Sequence, residues 1–535
     1  MSGAAPAADA LNERARHTAR NWLDSRGPIL ALMVFIGGLS SIAIETSASR
    51  LIGPYFGSST LIWANLIGLT LLYLTIGYFL GGRVADRWPQ TSVLYVLTAG
   101  AGVSAAIVPF AARPILEVSL SAFENTNVGA FLGSLFGTIL LFAFPITLLG
   151  MVSPFAVRLR LANVSSAGNT AGSLYSLSTV GSILGSFLPA FLFIPVIGTR
   201  NTFLLLAFAL LIPSTVALAL AGARRQLALA GAFIVVAALL PIVDQQGLVR
   251  PPEYGEVIYE AETRYNYVQV LDRDGEILLA LNEGHAVHSI YDPDSRITGG
   301  PWDYFMMGPY FHPDTRPDDV HSLMLIGLAA GTVSKQFTAA YGPVEIDGVE
   351  IDGEIVDIGR EYFDMNEPNL NVIVADGRYA LNESDKTYDV IGIDAYRQPY
   401  IPFHLTTKEF FQEVEDHLTP EGVAVVNAGR TRTDFRLVEV IAATMDAVYD
   451  DVYLIDVARF NNTMVIGVNG TSSVEDFIAN IDALPDDSIL REVGDAAVEL
   501  GSIRRWDGDA MVFTDDKAPV EQVVDQIILG EAQRR

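Results

Sequence analysis

The sequence contains no cysteine. This absence excludes a disulfide framework, cysteine-ligated zinc, iron–sulfur clusters and catalysis by a thiol. Lysine is almost as scarce, because only four lysines occur among the 34 basic residues and arginine supplies the rest of the positive charge. The sequence also lacks the Gly-x-x-x-x-Gly-Lys-Ser/Thr motif of P-loop nucleotide hydrolases, which removes the main support for an ATPase.

The charge is divided unevenly along the chain. Residues 1–244 hold 13 basic and 8 acidic residues, a net charge of +5, whereas residues 245–535 hold 21 basic and 54 acidic residues, a net charge of −33. Because an acidic surface repels phosphates, we predict that the protein does not bind nucleic acid. An acidic surface poor in lysine suits a salt-rich cytoplasm, which screens its self-repulsion. We interpret this composition as halophilic, with an ordinary acidic protein as the alternative.

Long runs without Asp, Glu, Lys or Arg fill the first half of the chain. About 20 apolar helical residues cross the hydrocarbon core of a bilayer, so the runs predict a multi-pass domain of about seven helices over residues 29–244 in the cell membrane. The polar segment 1–28 precedes it, and Asn12–Arg26 is typical of an amphipathic interfacial helix rather than a signal peptide. The seven runs are 29–44, 60–82, 92–112, 128–157, 170–199, 201–223 and 226–243.

The arginines predict an orientation for these helices. Ten of the 13 arginines in the first half lie before the first run or after the second, fourth and sixth, which places the N-terminus in the cytoplasm. Seven spans would then leave the acidic half outside the cell. The alternatives are that one run is re-entrant, that the arginine distribution misleads, or that the acidic half functions outside. Glu45 and Arg50 lie in or beside the first run, and form either a polar site within the membrane or an interfacial ion pair.

The second half predicts two folding patterns. Residues 245–315 alternate short apolar runs with turn signals, and the Asp274-Gly275 pair is typical of a tight hairpin, so we expect a small β-rich subdomain. From residue 316 to 535 apolar strands alternate with helical stretches. This alternation predicts a Rossmann-like α/β domain of the methyltransferase type, with parallel strands and right-handed crossovers.

Four successive strands of this α/β domain end in small or acidic residues. These are Gly327, Glu350, Asp376 and Asp394. Ligands bind beyond the carboxyl ends of such strands, where small residues admit a ligand and an acid about 20 residues later can hold ribose hydroxyls. Asp376, at the third strand end, can accept a hydrogen bond from an adenine amine. Asp394, at the fourth, lies near the reacting centre. Each acid alone is equally well a helix N-cap or a surface charge.

A wider set of motifs resembles the aminopropyltransferase (spermidine synthase) family. The resemblance is to its membrane-fused branch, in which a multi-span region similar to part of a major-facilitator transporter precedes the synthase-like domain. The motifs are Glu45–Leu51, Gly81–Arg87 and Tyr175–Pro189 in the first half, and Leu281–Gly284, His288–Ser289, Trp302–Tyr304, Val349–Asp352, Asp376–Arg378, Asp394 and Thr514–Glu521 in the second.

The resemblance implies transfer of an aminopropyl group from decarboxylated S-adenosylmethionine to a polyamine. Asp394 matches the carboxylate that accepts the proton of the attacking amine. No metal is expected, since the leaving group is a neutral thioether. The expected partners are the bilayer, a small-molecule or lipid acceptor, and a second copy in a homodimer. The implied donor site comprises Gly327, Leu328, Ala329, Gly331, Glu350, Ile351, Asp376 and Gly377; the acceptor candidates are His288, Asp303, Tyr304, Tyr396 and Arg397.

Two departures from the family pattern keep other functions open. Ala330 stands where the family has an acid that holds the aminopropyl ammonium, and Arg397 stands where it has a second aspartate for the far amine. Both fit a methyltransferase that uses intact S-adenosylmethionine on a non-polyamine acceptor. A transporter whose second domain senses a nucleotide is the third interpretation.

Overall fold

Two compact units make up the protein, and they divide between Pro251 and Pro252. The computed structural model describes residues 27–57, 60–123, 129–161, 167–243, 250–282, 286–396 and 400–532. The predicted interfacial helix over Asn12–Arg26 lies outside these residues. Each unit has its own apolar core.

Helices make up nearly all of the described part of the first unit. Six helical stretches are long and apolar enough to cross a membrane, judged by length and composition. Glu45 and Arg50 both lie half-buried on the first helix. The helices are α1 (Gly27–Phe56), α2 (Thr60–Arg87), α3 (Thr91–Phe123), α4 (Gly129–Gly150), α5 (Val152–Arg160), α6 (Ala167–Leu188), α7 (Ile194–Leu220) and α8 (Arg224–Val243).

The number of such stretches differs from the seven predicted runs. The runs 170–199 and 201–223 fall within one 54-residue stretch, Ala167–Leu220. A π-helical turn at Pro189–Phe193 joins α6 to α7, and the helical backbone is broken inside α7 at Gly198, where φ is 76° and ψ is 165°. The uncharged runs therefore place the helical residues well, and the break at Gly198 lies next to the boundary that they predict between the runs 170–199 and 201–223.

Glycines bring α1 and α6 into backbone contact. A Cβ atom added to Gly181 would lie 2.2 Å from the carbonyl oxygen of Phe35, and one added to Gly185 would lie 2.2 Å from that of Leu39. From the other side, a Cβ on Gly38 would lie 2.1 Å from the carbonyl oxygen of Ser178. Close approach of this kind is how small residues pack helices in apolar surroundings.

Replacing Gly181 with alanine tests this helix contact. The new methyl group must push α1 and α6 apart, so we expect Gly181→Ala to lower the free energy of unfolding by about 1–3 kcal/mol. Gly172→Ala is the matched control on the same helix, because nothing lies within 4 Å of a Cβ there. Thermal unfolding of the purified protein in detergent measures both variants, and equal stability of the two would contradict the contact.

The second unit begins with an antiparallel sheet. Its strands, in the order β1-β2-β3-β4, are β1 (Glu256–Glu262), β2 (Tyr267–Arg273), β3 (Glu276–Leu281) and β4 (Val287–Tyr291). The predicted Asp274-Gly275 turn joins β2 to β3, with φ angles of 57° and 97° that suit a two-residue hairpin. An eleven-residue 3₁₀ helix, Pro301–Phe311, follows and is wholly buried.

An eight-stranded sheet with helices around it forms the remainder of the unit. Its order is β12-β10-β11-β9-β8-β5-β6-β7. The strands are β5 (Ser322–Ile326), β6 (Glu345–Glu350), β7 (Leu370–Val374), β8 (Tyr388–Ile393), β9 (Leu418–Gly429), β10 (Asp451–Asp456), β11 (Asn462–Val468) and β12 (Ile503–Arg505). The helices are α9 (Thr332–Tyr341), α10 (Gly353–Tyr362), α11 (Gly377–Asn382), α12 (Lys408–Asp416), α13 (Arg436–Asp446), α14 (Val474–Asp482), α15 (Ile489–Glu499) and α16 (Val520–Ala532).

The predicted α/β fold is confirmed, with one difference in strand direction. Strands β5 to β9 pair in parallel, as the alternation of strands and helices predicts. Strands β10, β11 and β12 join the sheet antiparallel instead. The order reverses at β5, which has β6 on one side and β8 on the other, so a ligand cleft is expected at the carboxyl ends of β5 and β8.

Candidate active site

The carboxyl ends of β5 and β8 meet at the point where the strand order reverses. The backbone N–H of Asp394 donates to the carbonyl of Ile326 over 2.8 Å. Gly327 follows Ile326 with a φ of 97°, and a Cβ atom there would lie 2.5 Å from the carbonyl oxygen of Asp394. Only glycine fits such a contact without strain. The loop after β5 and the predicted catalytic carboxylate are therefore direct neighbours.

The loop Gly327–Gly331 uses its own backbone donors. Gly327 and Leu328 both donate to the carbonyl of Val349 over 2.9 Å, and Gly331 donates to that of Leu328 over 3.0 Å. The N–H of Ala329 donates to Glu350 Oε2 over 2.9 Å, and that of Ala330 to Ser289 Oγ over 3.0 Å. Phosphate-binding loops instead present free N–H groups to their ligand. This loop therefore suits a nucleoside without phosphates.

Glu350 is fixed at the end of β6. Its Oε1 accepts the N–H of Asp352 over 3.0 Å and its Oε2 accepts that of Ala329, and the residue is 8% exposed. Burial raises the pKa of Glu350 to about 7, although hydrogen bonds from backbone N–H groups oppose the shift. A carboxyl group held in this way keeps acceptor sites open for a pair of hydroxyls, which suits its predicted role toward ribose.

Asp376 is the N-cap of α11. Its Oδ1 accepts the backbone N–H groups of Arg378 and Tyr379, each over 3.1 Å, and its Oδ2 lies 3.1 Å from Nε2 of His404. A Cβ on Gly377 would lie 2.3 Å from Cγ2 of Ile326, so the start of α11 rests directly on the end of β5. The capping and nucleotide-reading roles of Asp376 are thus compatible, and its contact with adenine stays a prediction.

Apolar side chains surround Asp376 at the surface, and we call them the apolar rim. They share high exposure in a domain whose other large apolar residues are mostly buried, and a planar base could cover them. Ile351 neighbours β7 because Glu350 pairs with Val374. The rim consists of Ile351 at 40% exposure, Val374 at 57%, Tyr379 at 62% and Phe403 at 56%.

Asp394 is oriented by two asparagines. Its Oδ1 accepts Nδ2 of Asn427 over 2.8 Å, and the Oδ1 of Asn427 accepts Nδ2 of Asn462, also over 2.8 Å. Burial raises the pKa of Asp394 to about 6, and the Asn427 hydrogen bond opposes the shift. A carboxyl group with this pKa is ionised at neutral pH and is a stronger proton acceptor than an exposed aspartate.

Tyr396 anchors the segment that follows Asp394. Its hydroxyl donates to the carbonyl of Asn427 over 2.8 Å and accepts the N–H of Gly429 over 2.9 Å. Burial raises the pKa of the Tyr396 hydroxyl above its usual range, and the Asp394 charge adds to the shift. The hydroxyl is thus engaged with β9. Arg397, another acceptor candidate, lies outside the described residues.

The remaining acceptor candidates lie in or near the core. Asp303, 2% exposed, accepts hydrogen bonds from the backbone of Thr298 and Gly299 and from the side chain of Gln336, and burial raises its pKa. Tyr304 is also buried, and His288 lies half-buried on β4. The carboxylate of Asp303 is committed to these donors, and binding of the acceptor by the three residues stays a prediction.

The C-terminal motif Thr514–Glu521 contacts α11, the helix that Asp376 caps. Arg378 Nη2 lies 2.6 Å from Oε1 of Glu413, and its Nη1 lies 2.8 Å from Oδ1 of Asp515, within the predicted Thr514–Glu521 motif. Thr407 Oγ1 also donates to Asp515, over 2.6 Å. These bonds tie α11, α12 and the chain before α16 together. Within the described ranges, no group of three or more His, Asp and Glu side chains is arranged to hold a metal ion.

Comparison with known proteins identifies the domain that carries this site. Residues 322–472 match the family model described as "Spermine/spermidine synthase domain". The residues around the switch point, from Gly327 to Asn462, all lie inside this spermidine synthase-like domain. The match lies outside residues 29–244, so the resemblance of the first unit to part of a major-facilitator transporter stays a prediction.

The chain is also similar to individual proteins. The chain is 30% identical over 303 residues to a "Probable polyamine aminopropyl transferase" of Bifidobacterium longum, covering 51% of this chain and 64% of that protein. It is 26% identical over 249 residues to a "Polyamine aminopropyltransferase" of Vibrio vulnificus, covering 43% and 75%. Among solved structures, a probable spermidine synthase of Corynebacterium glutamicum has 20% identity, coverage of 49% and 99%, and a TM-score of 0.36.

Sequence reasoning did not identify Asn427, Asn462 and His404. Asn427 has a local signal, since it is the one polar side chain in the apolar run Val423–Ala428 of a central strand. Asn462 and His404 carry no such signal, because their contacts join positions 35 and 28 residues apart through strand register and loop path.

The raised pKa of Asp394 predicts a pH-dependent cost to folding. Its pKa is about 6 in the folded protein against an ordinary 3.8, so the folded state holds a proton more tightly. Stability therefore falls as pH rises from about 4 to 6, and the full cost, about 1–3 kcal/mol, is present above pH 6. Asp394→Asn should raise the opening free energy of β8 and β9 at pH 8 and leave it unchanged at pH 4.

Hydrogen exchange followed by mass spectrometry on the full chain measures this opening energy. Asp385→Asn serves as the control, since Asp385 is an exposed residue just before the same strand. A gain for Asp394→Asn of equal size at both pH values would contradict the assignment of the raised pKa to Asp394.

Proposed function

We propose that the second unit is a transferase that moves an aminopropyl group from decarboxylated S-adenosylmethionine to an amine. The observation that carries the proposal is the carboxyl group of Asp394, which Asn427 orients and whose pKa burial raises to about 6. This group lies directly beside the loop Gly327–Gly331. The printed names of the Bifidobacterium and Vibrio relatives support the same activity.

The donor fits the polar groups at the strand ends. Glu350 lies one strand away from Gly327 and offers acceptors for the ribose hydroxyls. The apolar rim offers a surface for the base, with Asp376 at its edge. A nucleoside sulfonium carries no phosphate, which agrees with a loop whose described N–H groups are already engaged.

The reaction needs little beyond position and proton transfer. The amine nitrogen attacks the propyl carbon attached to sulfur, a C–N bond forms, and the C–S bond breaks to release methylthioadenosine. The nitrogen gives up a proton, and Asp394 accepts it. Asn427, backed by Asn462, holds the carboxylate through Oδ1, and we expect Oδ2 of Asp394 to accept the proton.

A methyltransferase is the second candidate function, and Ala330 is the observation that favours it. The side chain of Ala330 is buried and contributes no carboxylate to hold the ammonium of the decarboxylated donor. Intact S-adenosylmethionine carries a carboxylate that an acid at this position would repel. The two candidates differ in their products, which are methylthioadenosine and S-adenosylhomocysteine.

Replacement of Asp394 tests the mechanism. Asp394→Asn keeps the size and hydrogen bonding of the side chain but removes the proton acceptor, so turnover should fall by about 10²–10⁴-fold. Chromatography of the nucleoside product from the full chain, incubated with each donor and a set of amines in concentrated KCl, gives the rate. Asp385→Asn should keep wild-type turnover.

The product assay also separates the candidate functions. Methylthioadenosine from the decarboxylated donor supports the proposal, and S-adenosylhomocysteine from the intact donor selects methyl transfer instead. An Asp394→Asn variant with full activity would remove Asp394 from the mechanism.

We also propose that the first unit lies in the cell membrane as a multi-pass domain. In the described part of the first unit, six apolar helical stretches and the exposed apolar side chains along α6, such as Ile183 and Phe187, support this location. The protein should stay in the membrane pellet after extraction with alkaline carbonate and enter the supernatant with detergent. Release by carbonate alone would contradict a membrane-spanning domain.

A further inference from the structure

The carboxylate of Asp376 is almost fully engaged. Oδ1 accepts two backbone N–H groups, from Arg378 and Tyr379, and Oδ2 lies 3.1 Å from Nε2 of His404. A carboxylate has about four acceptor directions, so these contacts leave one, on Oδ2. The side chain of Asp376 is 40% exposed, which keeps that direction accessible at the apolar rim.

His404 is held in place independently of Asp376. It lies in the 3₁₀ turn Phe403–Leu405, and its carbonyl oxygen accepts Nη1 of Arg378 over 3.2 Å. Arg378 is itself fixed by Glu413 and Asp515. The ring of Phe403 also stands edge-on to the imidazole, with 5.6 Å between centroids. The imidazole that contacts Asp376 therefore belongs to a turn that is held in place by several other contacts.

The contact with His404 orients Oδ2 and so sets where its open acceptor direction lies. An ionised carboxylate only accepts hydrogen bonds, so Nε2 of His404 must carry the hydrogen of this bond. Oδ2 keeps a second acceptor direction beside this bond. A nucleobase that presents an exocyclic amine can donate to it. A base that presents a carbonyl would place one oxygen against another.

We propose that His404 is a positioning residue of the donor site, and that it makes Asp376 selective for a 6-aminopurine over a 6-oxopurine. The proposal rests on the proposed function, because it assumes that a nucleoside lies between Glu350 and the apolar rim. His404 lies ten residues after Asp394. The chain segment that supplies the proton acceptor thus also supplies the group that sets recognition of the base.

The test compares two nucleosides that differ at one position of the base. Calorimetric titration of the full chain, in detergent and concentrated KCl, gives dissociation constants for methylthioadenosine and methylthioinosine. One hydrogen bond to a charged group separates the two ligands, so the wild type should prefer methylthioadenosine by about 10–100-fold. His404→Ala should reduce this ratio at least about tenfold, mainly by weakening methylthioadenosine.

Two further variants isolate the role of the imidazole. His404→Gln retains an N–H donor on a side chain of similar length and should restore most of the selectivity. His321→Gln is the control for loss of a histidine, because His321 is exposed and directly precedes β5, at the amino-terminal end of that strand. This variant should leave both dissociation constants unchanged.

The outcomes separate this proposal from the proposed function. Binding of neither nucleoside by the wild type would overturn the proposed donor site itself. Binding by the wild type with an unchanged ratio in His404→Ala would overturn only the role of His404. Equal weakening of both nucleosides in that variant would also overturn it, because it would show a merely structural contribution.

Discussion

The contact between the ends of β5 and β8 is the constraint on which the site depends. Gly327 leaves β5 with a positive φ, and the backbone of Asp394 lies where a Cβ atom of residue 327 would otherwise be. This contact places the loop after β5 beside the carboxylate that we propose as the proton acceptor. No other residue type would allow the two strand ends to approach so closely without strain.

Two kinds of acidic side chain lie at or next to the carboxyl ends of these strands. Glu350 and Asp394 are carboxyl groups whose raised pKa values reflect burial, and each carries a cost to folding that a structural residue would not need. Asp352, by contrast, has its carboxylate committed to protein donors. Thr263 and Asn266 hold Asp352 against the loop after β1. Glu350 and Asp394 are thus the acids proposed for the site, whereas Asp352 holds the chain beside it.

Sequence patterns predicted most of the fold because its signals are local. Uncharged runs located the helices of the first unit, the Asp274-Gly275 pair located a hairpin, and strand ends located Gly327 and Asp394. The alternation of strands and helices did not reveal that β10, β11 and β12 run antiparallel, since strand direction depends on how the chain returns.

The site was predicted less completely than the fold, for a physical reason. Glu350 and Asp394 follow from their positions at strand ends, whereas the partners that tune them come from distant chain segments. Asn427 and Asn462 meet through the register of β9 and β11, and His404 reaches Asp376 through the path of a loop. Such pairs depend on tertiary geometry, which the spacing of residues in one sequence does not encode.

The central claim is that a nucleoside lies across the carboxyl ends of β5, β6 and β8. An experimental structure of the full chain with methylthioadenosine bound tests it most directly. The account predicts ribose hydroxyls within hydrogen-bonding distance of Glu350, the base over the apolar rim, and the sulfur facing Asp394. A nucleoside bound elsewhere, or with its ribose away from Glu350, would contradict it.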